Sequence, residues 1–195
     1  MRLFPFSLAM QGQAKKAAPS KGAADAVAQA IAAIEKTGAS VRPVAQNDER
    51  LEVSFYLQGA AIKDADIAPV AQLPKVAYLH LGKTAITDAG LAYLKGLTEL
   101  EQLHLEGTKI TDKGLVHLKD LKKLTYLNLY NTAVSDAGLA HLTGLTNLKN
   151  LYLWQTQVTD AGAKKLKEAL PNTDINRGWE LEAKAPAKPA EEPKP

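Results

Sequence analysis

The chain has 195 residues, enough for one domain with short extensions. Apolar residues make up 46% and charged residues 23%, and a formal net charge of +3 is too small to imply nucleic acid or an anionic membrane by itself. There is no cysteine, which excludes disulfides, thiolate catalysis and Cys-ligated zinc.

Residues 1–19 begin "MRLFPFSLAM", where Arg2 precedes a short apolar stretch interrupted by Pro5. Gly12-Gln13-Ala14 offers a small-x-small site, so this segment is expected to be a flexible N-terminus or a weak export signal. The cytoplasm is the default location; the periplasm or cell surface requires that segment to work. No apolar run reaches the ~18 residues a spanning helix needs, so no membrane insertion is expected.

Residues 20–48 are expected to form an N-terminal cap. Ser20 can cap an Ala-rich helix through Lys36, with Val27, Ile31 and Ile34 on one face and Gly38 as its stop. "VRPVA" and "LEVSFYL" flank the polar "QNDE", which predicts a hairpin leading into the next segment.

Residues 49–178 repeat a phrase every 24 positions: "TAITDAGLAYL" from Thr84, "TKITDKGLVHL" from Thr108, "TAVSDAGLAHL" from Thr132 and "TQVTDAGAKKL" from Thr156. Apolar columns run in step: Val76, Leu100, Leu124, Leu148; Leu79, Leu103, Leu127, Leu151; Leu81, Leu105, Leu129, Leu153. One step further back places Phe55, Leu57, Ala60, Ile62, Asp64, Ile67 and Val70 in the matching columns, giving about five repeats. "YLHL" alternates with the period of a strand, and Leu91, Leu94 and Leu97 share a short helical face. Each unit is therefore one strand and one short helix, and neighbouring units bury what one unit cannot. Ala163 stands where Leu91, Leu115 and Leu139 recur, so the core tapers before Pro171. Trp179 is placed over the last layer. Residues 179–195, including "EAKAPAKPAEEPKP", are too poor in apolar residues for a core and are expected to be a disordered tail.

The pattern L-x-x-L-x-L-x-x-T-x-[IV]-[TS]-D-x-G-L-x-x-L resembles bacterial leucine-rich-repeat proteins with Thr at the usual Asn position. It is also similar to the repeats of F-box-associated leucine-rich proteins, over about residues 50–178. The resemblance implies an α/β solenoid, a horseshoe with parallel concave strands and short convex helices. It further implies a binding scaffold whose concave strands meet a partner. Residues 20–48 are too short for an F-box-like segment, which counts against a ubiquitin-ligase adaptor.

Within the phrase, the Thr column (Thr84, Thr108, Thr132, Thr156) is expected to satisfy neighbouring turns as a hydroxyl ladder. Asp64, Asp88, Asp112, Asp136 and Asp160 each open a helix. Either the Asp or the preceding Thr/Ser caps it, and one Asp per unit supplies too few oxygens for calcium. Gly90, Gly114, Gly138 and Gly162 permit close approach of the helix start.

Function is expected where the copies differ. Side chains alternate along a strand, so three outward columns follow: Ser54, Tyr78, Gln102, Tyr126, Asn150; Tyr56, His80, His104, Asn128, Tyr152; and Gln58, Gly82, Glu106, Tyr130, Trp154. They hold five of the six tyrosines, and Tyr and Trp are enriched at binding hot spots. Glu106 is the one acid in these columns and no Lys or Arg accompanies it, which disfavours nucleic acid.

The partner-binding residues are Tyr56, Tyr78, His80, His104, Glu106, Tyr126, Asn128, Tyr130, Tyr152 and Trp154. His80 and His104 would need Glu106 as third ligand for zinc, and Ser54, His80 and Glu106 lie on one diagonal without an oxyanion hole. Neither a metal, a cofactor nor a catalytic residue is therefore expected. Tyr93, His117, His141 and Lys165 form a mildly basic column on the helix side. The expectation is a monomer that binds a protein or peptide partner without catalysis. The alternative is an exported glycan-binding or cell-surface recognition module.

Overall fold

A computed structural model describes residues 21–178. The expectations for residues 1–19, the Ser20 cap, Trp179 and the tail lie outside the described residues.

Helix α1 (Lys21–Lys36) packs Val27, Ile31 and the buried Ile34 onto the core, and ends where Gly38 adopts φ +85°. Strands β1 (Ser40–Pro43) and β2 (Leu51–Ser54) pair antiparallel, as the polar turn between them requires. From β2 onward every pairing is parallel: β3 (Val76–His80), β4 (Gln102–His104), β5 (Tyr126–Asn128), β6 (Asn150–Tyr152) and β7 (Asp174–Asn176) follow in chain order. Between strands the chain returns through α2 (Asp64–Ile67), α3 (Asp88–Leu91), α4 (Asp112–Leu115), α5 (Asp136–Leu139) and α6 (Asp160–Ala169). The four shorter helices run on into a 3₁₀ turn.

The strands' inward leucines and the helix-side leucines meet in one continuous core. Leu79, Leu103, Leu127 and Leu151 are fully buried, as are Leu91, Leu94, Leu115 and Leu118. Burying each such side chain is worth ~1.5–3 kcal/mol relative to exposure.

Two departures from the 24-residue step reorganise the first unit. Val53 pairs with Leu79 and Ser54 with His80, a step of 26. A bulge at Ala77 takes one residue back, so that Leu51 pairs with Val76 at a step of 25. Ile62, Asp64, Ile67 and Val70 keep the 24-residue spacing to the next unit, so the extra residues lie in the 3₁₀ segment Tyr56–Ala61. There Gly59 turns at φ +51°. Phe55 therefore fills the buried slot expected for Leu57, which is 88% exposed. At the other end, Ile175 pairs with Leu151, so the array continues past Pro171 into a strand, β7, that the repeated phrase does not announce.

The repeated phrase is a set of ties between units. Thr87, Thr111, Ser135 and Thr159 are the helix caps, each accepting from a backbone N–H of the first turn. The aspartates do something else. Asp88 accepts the N–H of Thr111 (2.7 Å) and its hydroxyl (2.7 Å), and Asp64, Asp112 and Asp136 do the same for Thr87, Ser135 and Thr159. The recurring glycine makes room for this: a Cβ at Gly114 would lie 2.5 Å from Asp88 Oδ1. The last aspartate, Asp160, has no following Thr and is met by Arg177, which also donates to the Val158 carbonyl (2.8 Å). The Thr column is local rather than a ladder. Thr84, Thr108, Thr132 and Thr156 each donate to the carbonyl three residues back, at 2.6 to 2.7 Å.

One further column was not foreseen. Lys83, Gly107, Asn131 and Gln155 all hold positive φ, between 53° and 65°. The turn that leaves each strand demands it, and only glycine and asparagine adopt it readily. Lys83 is held there by its N–H donating to the Glu106 carbonyl (2.6 Å).

Candidate functional site

The strand face opposite the helices carries the residues chosen from sequence except Tyr56, in a register that differs at one end. Tyr78, Gln102, Tyr126 and Asn150 share one row, and His80, His104, Asn128 and Tyr152 another. The two-residue offset puts Glu52, not Ser54, beside Tyr78, and Ser54, not Tyr56, beside His80. The Ser54–His80–Glu106 diagonal therefore does not exist. Tyr56 sits on the rim, 44% exposed, its hydroxyl accepting from Lys83 Nζ at 3.1 Å. Lys83 Nζ also lies 5.2 Å from the Tyr56 ring centroid. β7 extends both rows with Asp174 and Asn176.

The rings do not stand apart as a list of exposed residues. They stack. His80 and His104 lie face to face with centroids 4.2 Å apart and planes 22° apart. His104 meets Tyr126 at 4.7 Å, and Tyr126 meets Tyr152 at 5.3 Å. This is one unbroken row of four rings across β3 to β6. A second pair, Tyr130 and Trp154, packs at 5.5 Å beside it, with Trp154 53% exposed. Strand spacing of ~4.8 Å sets this geometry, since flat side chains on adjacent strands fit at that separation. Asn128 contributes less to the surface than expected: its Oδ1 accepts the Tyr130 N–H at 3.0 Å.

Charge on the face is also different from expectation. Glu52 and Asp174 are further acids, and Arg42 on β1 is a cation beside Glu52, donating at 2.8 Å and 3.2 Å to its two oxygens. That hydrogen bonding holds the Glu52 carboxyl below its usual range. Burial pushes both imidazoles down, His104 to about 4, with the His80 charge adding to its shift. Both rings are therefore neutral at pH 7. Burial pushes the Glu106 carboxyl up, and its Oε2 is buried without a hydrogen-bond partner. Its other oxygen lies over Gly82, whose missing side chain leaves the space. The ring nitrogens of His80 and His104 approach Glu52 and Glu106 only to 3.7 Å. Among the described residues no three His, Asp or Glu are grouped to hold a metal ion.

The sign of the histidine shifts gives a stability prediction. A base whose folded pKa is depressed binds fewer protons folded than unfolded, so stability falls as pH drops below the unfolded value near 6.5. Between pH 7 and pH 5 the wild-type chain is expected to lose ~1–2 kcal/mol, allowing for partial solvent screening of both rings. His104→Gln is expected to remove most of that slope in urea unfolding. An unchanged slope counts against a neutral, buried imidazole.

An open cleft of about 460 Å³ lies on the other side of the molecule, between α5 and α6, lined by Ala137, Ala140, Thr143, Ala161 and Leu166 among others. Asp136 in that cleft is already committed to Thr159, so the cleft offers no free reactive group on that side chain. The convex column Tyr93, His117, His141 and Lys165 forms no comparable ring contact in the structure's described residues.

Glu52 and β7 were legible in principle. "LEVSF" alternates with Val53 and Phe55 inward, which places Glu52 outward, and Ile175 lies 24 residues after Leu151. Ring stacking has no sequence signal beyond the adjacency of columns.

A leucine-rich-repeat family profile matches residues 97–119. No curated protein matches the chain. Among solved structures, internalin C2 of Listeria monocytogenes is 28% identical over 56% of this chain and 45% of that one, with a TM-score of 0.48. A leucine-rich-repeat protein of Leptospira interrogans is 21% identical over 57% of this chain and 33% of that one, with a TM-score of 0.39. The chain thus spans less than half the length of either bacterial protein. The leucine-rich-repeat ectodomain of the receptor kinase SOBIR1 of Arabidopsis thaliana is 16% identical, covers 78% of this chain and 91% of that one, and has a TM-score of 0.51, a likeness of fold alone. Strand, turn and short helix repeated along the chain and stacked into one open sheet, parallel from β2 onward, make this chain an α/β leucine-rich-repeat solenoid.

Proposed function

We propose that this solenoid is a non-catalytic scaffold that captures a protein or peptide partner on its open strand face. The observation that supports it is the row His80–His104–Tyr126–Tyr152, flanked by Tyr130 and Trp154. The core has no need of these rings. The strands' inward positions are filled by Val, Leu and Ile, with Phe55 next to β2, and the outward rings gain little from folding where Trp154 is half exposed. Rigid aromatic surface of this kind loses little conformational entropy on binding and supplies most of the energy at interfaces. The leucine-rich-repeat fold is itself suited to protein interaction, since a solenoid exposes one continuous face along its length.

The test is capture of a partner from the source cell by the full chain and by the Tyr130→Ala/Trp154→Ala double variant. The double variant is expected to lose capture at least about tenfold, with far-UV CD and thermal midpoint unchanged. Equal capture by both proteins would place the binding surface elsewhere.

A further inference from the structure

Lys83 lies in the turn after β3, on the rim of the open face, and its backbone is left-handed with φ 61°. Gly107 and Asn131 make the same turn in the next two units. Their N–H groups donate to the Tyr130 and Trp154 carbonyls, as that of Lys83 does to the Glu106 carbonyl. Glycine or asparagine therefore serves this turn better, and a lysine there carries strain that the turn does not require. Residues held in such conformations cluster where ligands are held. The Lys83 side chain is exposed but not loose. Its Nζ donates to the Tyr56 hydroxyl at 3.1 Å and lies 5.2 Å from the centre of that ring. This bond holds the ammonium above its usual range, and Glu106 and Tyr130 stand close enough for their charge to act on it. Glu106 is drawn in over Gly82 instead of out to Lys83. An ammonium has three donors, and one is used. The Tyr56 and Tyr130 hydroxyls each keep a proton that no acceptor among the described residues takes. Gly107, in the unit between Lys83 and Tyr130, adds no side chain to the gap, and a Cβ there would still stand 3.7 Å from Lys83 Cγ.

We infer that Lys83, with the hydroxyls of Tyr56 and Tyr130, is a subsite on the rim for an acidic side chain of a partner peptide. This rests on the binding reading above and adds the chemistry of one contact. A carboxylate accepts from an ammonium and from hydroxyls at once, and such charge-assisted hydrogen bonds are the strong ones. Tyr56 holds the ammonium in place beforehand, so less side-chain freedom is lost on binding than for a loose lysine. A side chain, rather than a chain terminus, is the source that fits. Exposed rings continue the rim in both directions, Tyr56 at 44% on one side and Trp154 at 53%, beside Tyr130, on the other. Two strand spacings of ~4.8 Å separate the unit of Lys83 from that of Tyr130. Three residues of extended chain at ~3.3 Å each span the same distance, so an apolar side chain three positions from the acid meets Tyr130 and Trp154.

The test uses the full chain and two defined probes, acetyl-Gly-Glu-Gly-Gly-Phe-Gly-amide and the same peptide with glutamine, which keeps the shape and removes the charge. Each is titrated while the NMR signals of Tyr56, Lys83 and Tyr130 are followed. The glutamate probe is expected to move these signals and to bind at least about threefold tighter than the glutamine probe. Lys83→Met keeps the stem, removes the charge and is expected to erase that preference. Lys83→Gly is expected to erase it too, while relieving the left-handed strain and leaving the thermal midpoint unchanged or higher. Equal binding of the two probes to the wild-type chain, or a preference that survives in Lys83→Met, overturns the inference. A midpoint lowered in Lys83→Gly also counts against it, since the lysine would then serve the fold. The two readings fail separately. If the Tyr130→Ala/Trp154→Ala variant loses partner capture while the probes bind the wild-type chain alike, the face stands and the acid subsite falls. If capture survives in that variant but the glutamate preference depends on Lys83, the subsite stands without the wider face.

Discussion

Phe55→Ala is expected to destabilise the chain by ~3–5 kcal/mol, whereas Leu57→Ala is expected to change stability by less than ~0.5 kcal/mol. A strict 24-residue step would assign the reverse, because it sets Leu57 beside Leu81. The hydrogen bonds give Phe55 that place instead. Its N–H donates to the His80 carbonyl at 2.9 Å, and Leu81 donates to the His104 carbonyl at 2.9 Å one unit later. Phe55 has no exposed surface and Leu57 is 88% exposed. Urea unfolding of the two variants separates the cases. A large loss in Leu57→Ala with a small one in Phe55→Ala would restore the 24-residue register.

That pair also shows which part of the fold was readable. Between Val76 and Leu166 four copies agree, so each column is read several times and one odd residue does not mislead. The first unit is read once. A two-residue insertion there leaves Ile62, Asp64, Ile67 and Val70 in step while shifting the strand before them, and both registers place apolar residues inward. Only the alternation in "LEVSF" argues for Val53 and Phe55. β7 was missed for a different reason. After Ile175 the sequence repeats neither the Thr nor the Asp-x-Gly of the phrase, so the pattern gives no register there.

The site was half legible. That Tyr126, Tyr130, Tyr152 and Trp154 share a face follows from alternation alone. That His80, His104 and Tyr126 form one stack with Tyr152 does not, because Tyr126 comes from a different column and reaches its neighbours by leaning along the strand. The face was also read as uncharged but for Glu106. Arg42 enters from the antiparallel strand β1, outside the repeat, where a column argument has no reach.

The repeated Asp and Gly are expected to behave as one interlocking part. Asp88→Ala removes the acceptor for the Thr111 N–H and hydroxyl and is expected to cost ~1–3 kcal/mol. Gly114→Ala forces a methyl to 2.5 Å from Asp88 Oδ1 and 2.9 Å from Leu91 Cδ1, and is expected to cost ~1–3 kcal/mol as overpacking. Gly114 is not in the left-handed region, so backbone strain plays no part in that loss. With the carboxylate gone, the added methyl takes its space, and what remains is the flexible tip of Leu91 and the Asp88 Cα at 3.2 Å. Alanine also favours the helix over glycine by up to ~1 kcal/mol. The double variant should therefore fall short of the summed losses by at least ~1 kcal/mol in a double-mutant cycle. Additivity within ~0.3 kcal/mol would mean that glycine serves the helix alone and that the Asp–Gly contact between units is incidental. Sub-additivity instead ties the two letters to each other across the unit boundary, so the phrase recurs because each copy holds the next one in place.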